Sequence, residues 1–198
     1  MVAVGATGPA GARPKRADAQ RNRERILAAA KTTFAEQGAE AAMEEVARVA
    51  EVGVGTLYRH FPTKQALLGE LLAERFRVFG AEAERALETI DDPWEAFAGT
   101  LRSNAEYASR DIALQDALFR GEASWEPVAE PLGALRATMT EIIERGQAAG
   151  AIRADFTVDD IPLMMSGVSS AMANVHPNGE AMDWRRLLDL LLDGVKPR

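Results

Sequence analysis

Apolar side chains in this chain recur every three or four residues, the spacing of helices that bury one face. Ile26, Leu27, Ala30, Phe34 and Ala35 mark a first helix from about Asn22, and Gly38 supplies its stop just after Gln37. Met43, Val46, Ala47 and Ala50 share one face of a short second helix, and Val54 to Phe61 forms a third after a brief break. Pro62 closes the third helix, because the residue before a proline is pushed out of helical geometry. Thr63 then stands where it caps a fourth helix through Leu67, Leu68, Leu71, Leu72, Phe76 and Phe79.

Further along, Asp92-Pro93 opens a helix in N-cap and N1 order, with Trp94, Phe97, Leu101 and Tyr107 apolar. Asp111 begins a short one through Leu114, Leu118 and Phe119, and Gly121 to Pro131 reads as a loop. Leu132 to Gly146, Val158 to Asn174 and Met182 to Val195 complete the set, with a connector from Gly150 to Phe156. No alternating strand pattern and no internal repeat occurs. The expected fold is all-α with about nine helices.

Two short helices joined by a tight turn, with small residues opening the second, describe a helix-turn-helix whose second helix enters a DNA major groove. In GVGTLYRHFPTK, residues 53–64, Gly55 and Thr56 are small enough to let a backbone approach. Tyr58 offers a hydroxyl to phosphate, Arg59 a guanidinium to phosphate or a guanine edge, and Lys64 a further phosphate contact; Leu57 and Phe61 look inward. The same stretch also suits a tight helix in an ordinary bundle. His60 beside Tyr and Phe suits a surface hydrogen-bonding residue better than an acid-base group, and the glycines at 53 and 55 follow no strand and lead to no Gly-Lys-Ser/Thr, so they form no phosphate loop.

RILAAAKTTFAEQG followed by MEEVARVAEVGVGTLYRHFPTKQALL resembles the DNA-binding region of the TetR family of transcriptional repressors, over roughly residues 22 to 72. The resemblance implies an all-helical homodimer: three N-terminal helices that bind DNA, and a C-terminal domain of about six helices that dimerises and holds an inducer. By it, Val54, Gly55, Thr56 and Arg59 face bases or nearby sugar-phosphate, while Tyr58, His60 and Lys64 contact phosphates. Two departures stand out. Where the family's turn usually reads Ala-Gly-Val-Ser, this chain has Ala50-Glu51-Val52-Gly53, and a Glu at positive φ costs on the order of 1 kcal/mol. The second helix opens on Ala41-Ala42-Met43 without the family's Thr, and its Glu44 and Glu45 suit the helix dipole but repel DNA.

Charge sharpens the picture. The net charge of −7 speaks against nucleic acid, yet residues 1–64 hold ten Lys/Arg against seven Asp/Glu, and the remainder thirteen against twenty-three. Arg13, Lys15, Arg16, Arg21, Arg23 and Arg25 form a basic arm suited to phosphates, Arg16 among them, although a solvated leader has the same composition. The resulting division is a disordered basic arm over 1–20, a helix-turn-helix domain over 21–66 and a ligand-binding and dimerisation domain over 67–198. With no cysteine and only His60 and His176, thiolate zinc sites and cysteine nucleophiles are excluded, and no cofactor or metal is expected. No apolar run approaches a membrane span or signal core, so a cytoplasmic location and no membrane partner are expected.

Aromatic and methionine residues in the C-terminal region fit an apolar core as readily as a cavity; only the resemblance points to a pocket. Its expected walls are Phe97, Leu101, Asn104, Leu118, Phe119, Met139, Ile143 and Met165. Met164, Val168 and Met172, with Trp184, Leu188 and Leu191, line two apolar helix faces expected to form a four-helix dimer interface, or else to complete a monomeric core. The expected function is a repressor released from a palindromic DNA operator by a small-molecule ligand. Two rivals are a helical carrier or enzyme with an incidental helix-turn-helix and an architectural DNA binder; the first lacks a nucleophile–base pair, and the second sits poorly with an acidic C-terminal region.

Overall fold

A computed structural model of the protein describes residues 12–38, 40–110, 112, 123–176 and 179–197, with side chains from Ala17 onward. Among them are eight helices and no strand: α1 (Ala12–Gln37), α2 (Met43–Val49), α3 (Val54–His60), α4 (Lys64–Thr89), α5 (Pro93–Ala108), α6 (Ala129–Ala148), α7 (Asp160–Ala173) and α8 (Trp184–Val195). The fold is all-α, an N-terminal helix-turn-helix domain followed by a C-terminal helical domain. The helix expected after Asp111 lies outside the described residues, Ile112 excepted.

Helix termini follow the sequence closely where a capping side chain is present. Asp92 Oδ1 accepts from the amides of Trp94 at 2.8 Å and Glu95 at 3.2 Å, with Pro93 next in line. Thr63 Oγ1 accepts from Ala66 N at 3.1 Å, and Asp183 Oδ1 from Arg186 N at 2.9 Å. Gly38, at φ 78°, ends α1 in the left-handed conformation glycine permits. The start of α1 departs from the sequence reading. It lies at Ala12 rather than Asn22, so the backbone of residues 12–20 is helical where a disordered arm is expected. Ala, Arg, Lys and Gln are strong helix formers, and Pro14 falls in the first turn, where a missing N–H forfeits no intrahelical bond.

Two cores organise the chain, and α4 belongs to both. The first gathers Ile26, Phe34, Met43, Val46, Leu57 and Phe61 around Leu67, Leu68, Leu71 and Leu72, and it also takes in Ala123 and Val128 from far along the sequence. The second gathers Phe79 and Ala83 with Phe97, Leu101, Met139, Ile142, Val168, Leu188 and Leu192. Phe76 packs against both. The most extensive helix pairing is α4 with α6, and α7 pairs with α8.

A close approach pins the two halves together. Ser124 N donates to Gln65 O at 2.9 Å, and Gly69 lies under the same segment. A Cβ on Gly69 would collide with Ser124 O and stand 3.0 Å from Pro127 Cγ, so only glycine lets the 123–128 segment sit on α4 this tightly.

Candidate nucleic-acid interface and ligand cavity

Helix α3 is held by an inward face and presents an outward one. Leu57 is fully buried and Phe61 nearly so, both inside the first core. On the other side Val54, Gly55, Tyr58 and Arg59 are exposed, at the i, i+1, i+4 and i+5 spacing of one helical face. Thr56, His60 and Lys64 are half-buried at its margin. Gly55 has nothing within 4 Å of where a Cβ would lie, so this chain's own packing does not require a glycine there.

The turn before α3 realises the strain foreseen for Glu51, which has φ 50°, the sole positive φ outside glycine among the described residues. Arg25 of α1 clamps it, donating from Nη2 to Glu51 Oε2 at 2.9 Å and to Glu51 O at 3.3 Å. Gly53 caps α3 without a side-chain bond, its carbonyl accepting from Thr56 N at 2.8 Å, and Ala42 likewise caps α2 with none.

Basic side chains of the head are partly committed within the protein. Arg23 pairs with Glu70 at 2.7 Å and lies over the Phe61 ring, 5.5 Å from its centroid. Lys64 sits over Phe34 at 5.9 Å, so its ammonium also joins the start of α4 to α1. Arg48 makes a two-pronged contact with Glu45, at 2.8 and 2.6 Å, and this hydrogen-bonded guanidinium holds the Glu45 carboxyl below its ordinary range. Tyr58 Oη stands 3.4 Å from Glu44 Oε1. Arg16 falls in the stretch where only backbone is described.

The second domain holds a cavity of about 390 Å³ between α4, α5, α6 and α7, open to solvent on one side. Arg75, Phe76 and Phe79 enter from α4, Asn104 from α5, Leu132, Leu135, Arg136 and Met139 from α6, and Ile161, Pro162, Met165 and Ser169 from α7; Val158 and Trp125 complete the described wall. Of the residues expected there, Asn104, Met139 and Met165 line it. Phe97, Leu101 and Ile143 do not: they are buried in the second core, where Phe97 packs edge-on against Phe156 at 5.5 Å. All three are apolar at helical spacing, and spacing does not distinguish a solid core from a wall. Leu118 and Phe119 lie outside the described residues. Sequence reasoning missed Arg75, although it interrupts the apolar series Leu68, Leu72, Phe79 of α4 at a core position.

The two C-terminal helices are also arranged differently from expectation. Val168 and Leu188 are buried within the chain, where α7 meets α8 and the second core, so they do not face outward. Met164, Met172, Trp184 and Leu191 are half-buried and pack on that core. Exposed on α7 at helical spacing are Leu163, Ser166, Gly167 and Ser170, and exposed on α8 are Leu190 and Gly194, with Leu163 73% and Leu190 52% exposed. α7 is apolar on more than one side, so the sequence pattern did not say which side the chain keeps for itself, whereas α8 is one-sided, with Arg185, Arg186, Asp189 and Asp193 exposed around Leu190.

Such a molecule is a helix-turn-helix reading head fused to a cavity-bearing helical domain. Residues 26–71 match the model of bacterial regulatory proteins, tetR family, and residues 92–197 match that of the SbtR-like transcriptional regulator C-terminal domain. The chain belongs to the tetR family. It is 41% identical to the transcriptional repressor KstR of Mycolicibacterium smegmatis over 105 residues, a match spanning 52% of either chain, so the chain spans about half the length of that curated relative. The crystal structure of a TetR transcription regulatory protein from Mycobacterium vanbaalenii superposes with TM-score 0.61 at 34% identity, covering 93% of this chain and all of that one. Thermus thermophilus FadR, a repressor solved in complex with lauroyl-CoA, superposes with TM-score 0.58 at 25% identity, covering 89% and 96%.

Proposed function

We propose that the chain is a homodimeric transcriptional repressor that grips a palindromic DNA operator through α3 and leaves it when a small molecule fills the cavity. The observation that carries the reading is the outward face of α3. Gly55 leaves open space that the fold does not use, flanked by Val54, Tyr58 and Arg59, which is what a backbone pressed against a groove wall requires. Thr56 and Arg59 would meet bases or sugar-phosphate, while Tyr58, His60, Lys64 and Arg16 would meet phosphates.

Palindromic recognition needs two heads at a fixed separation. The exposed positions of α7 and α8 are the surface we assign to the partner: Leu163 and Leu190 would give apolar contact, and Ser166, Gly167 and Ser170 would let two helices approach closely. The cavity supports the ligand half of the reading, as does FadR, a relative that holds a small molecule. Because α4 lines the cavity with Arg75, Phe76 and Phe79 and builds the head with Leu67 to Leu72, a ligand that prefers one setting of α4 shifts the separation of the heads. The reading makes the chain a binding protein rather than an enzyme, in keeping with relatives named as regulators.

Selection of fragments from sheared genomic DNA by the purified protein at roughly 150 mM salt, where weak phosphate binding is suppressed, tests it. Enrichment of one inverted repeat, bound by two chains, is expected. Recovery of fragments without a common sequence would overturn the operator reading.

A further inference from the structure

We propose that the cavity takes a compact apolar molecule carrying a hydroxyl group, and that Asn104 recognises it by hydrogen-bonding that hydroxyl. The inference rests on the ligand-responsive reading in taking the cavity to be a ligand site; it adds the polar group that is selected and the residue that reads it.

Asn104 stands where the register of α5 wants an apolar side chain. It follows Phe97 and Leu101 at helical spacing and precedes Ala108, all three fully buried, and is itself 8% exposed. A carboxamide carries two N–H donors and an acceptor oxygen, and burying these without partners is costly, so such groups are as a rule hydrogen-bonded. Two other helical side chains show the ordinary solution. Thr100, one turn earlier on α5, donates its buried hydroxyl to Ala96 O at 2.6 Å, and Asn174 at the end of α7 donates from Nδ2 to Ser170 O at 2.7 Å. Asn104 does not fold back in this way. Among the described residues nothing hydrogen-bonds to its side chain, which instead lines the cavity. Its amide is therefore available to a molecule that enters.

Depth and shape say what that molecule looks like. Trp125 in the same wall is 50% exposed, which sets it toward the open side, whereas Asn104 lies deep. Much of the remaining described wall is apolar and buried: Phe79, Leu135, Met139, Ile161 and Met165 are each at most 9% exposed, and the two methionines adapt to an irregular body. An apolar body is therefore stripped of water with its polar group at the amide. A hydroxyl suits that amide whichever way it is turned, donating to Oδ1 or accepting from Nδ2. A volume of about 390 Å³ lies toward the small end of the roughly 300–1,000 Å³ of ligand pockets, which limits the occupant to a compact molecule.

Two probes of one shape test the idea: 2-naphthol and 2-methylnaphthalene, which differ in a hydroxyl against a methyl group. The full-length protein is titrated into each in a calorimeter at pH 7, where a phenolic hydroxyl keeps its proton. Naphthol is expected to bind at least about tenfold more tightly, because a methyl group leaves the amide buried without a partner. Asn104→Leu, close in shape, should reverse the order, since the methyl group is then the better match for an apolar wall. Asn104→Ala, which only removes atoms from the wall, should likewise lose the preference and serves if the leucine variant does not fold. A merely structural asparagine would weaken both probes alike. Equal or tighter binding of methylnaphthalene to the unaltered protein, or binding of neither probe, would overturn the proposal whether or not the variants fold, and so would a folded variant that keeps the preference for naphthol. Adding the probes to protein bound to its selected DNA separates this inference from the functional reading. Release by methylnaphthalene at the same or lower concentration than by naphthol sinks the hydroxyl selection and keeps the switch; naphthol binding that depends on Asn104 but leaves the DNA complex intact keeps the selection and sinks the switch.

Discussion

Arg25 on α1 and Glu51 in the turn between α2 and α3 are joined twice, by a 2.9 Å ion pair and a 3.3 Å hydrogen bond to the Glu51 carbonyl. The pair holds a left-handed Glu in the turn that leads into α3, and it occupies an arginine of the head. Glu51→Gly should therefore have two effects of unequal size. Removing positive-φ strain adds about 1 kcal/mol, and loss of an exposed pair subtracts roughly 0–1 kcal/mol, so denaturant midpoints should move little, and upward if at all. DNA binding should strengthen, with the slope of log affinity against log salt steeper by about one as Arg25 becomes available to phosphate. A titration at three salt concentrations reads both.

Gly55 gives a cleaner separation of fold from function. Because a Cβ there meets nothing in the protein, Gly55→Ala should leave the fold intact and raise helix stability by about 0.5–1 kcal/mol. The same methyl group should obstruct the approach of α3 to DNA and lower operator affinity by about tenfold or more. A variant that melts higher and still binds DNA normally would remove Gly55 from the interface.

Gly69 makes the opposite prediction. A Cβ at this position has to displace the 123–128 segment, and overpacking of this kind costs typically about 1–3 kcal/mol. Gly69→Ala should lower the thermal midpoint, and the response of DNA binding to ligand should weaken more than ligand binding itself, because Trp125 in the cavity wall moves with the displaced segment.

Leu190→Glu tests the dimer face. The side chain is half exposed in a single chain, so monomer folding should tolerate the change, whereas twofold symmetry would bury two carboxylates in the interface at several kcal/mol each. Sedimentation at micromolar concentration should show a folded monomer with markedly weaker operator binding. An unchanged dimer would place the interface elsewhere.

Glu106 of α5 receives Arg185 Nε at 2.6 Å and Nη2 at 2.8 Å, and these hydrogen bonds to the guanidinium lower its carboxyl below the ordinary 4.5. A depressed folded value means that the unfolded chain binds the proton more readily. The contribution is complete above about pH 4.5 and is lost as pH falls through the lowered value. Glu106→Gln should therefore lose less of its thermal midpoint between pH 5 and 3 than the parent, when melting curves are compared at matched ionic strength.

The reading head was legible because its signals are local. Pro62, Thr63 and Gly38 punctuate helices by backbone chemistry that needs no tertiary context, and Leu57 against Tyr58 and Arg59 divides inside from outside within a single turn. The cavity was less legible. Asn104, Met139 and Met165 line it while Phe97, Leu101 and Ile143 do not, although all six are buried or nearly so and periodic. Whether a buried face meets solid packing or open space depends on how four helices are spaced, which no one helix records. Arg75 was the clue that periodicity did contain, a guanidinium where the apolar register wants a leucine.

Ala123 and Val128 sit in the core of the head although they follow Ala73 by 50 and 55 positions along the chain. The head is therefore not a module that can be cut out at one point and exchanged. A chimera that joins residues 1–73 of this chain to the body of a relative keeps the hydrophobic seat around Leu68 and Gly69 but receives a foreign 123–128 segment to fill it. Transplanting DNA specificity between such proteins calls for moving two separated pieces together, the head and the plug that closes it.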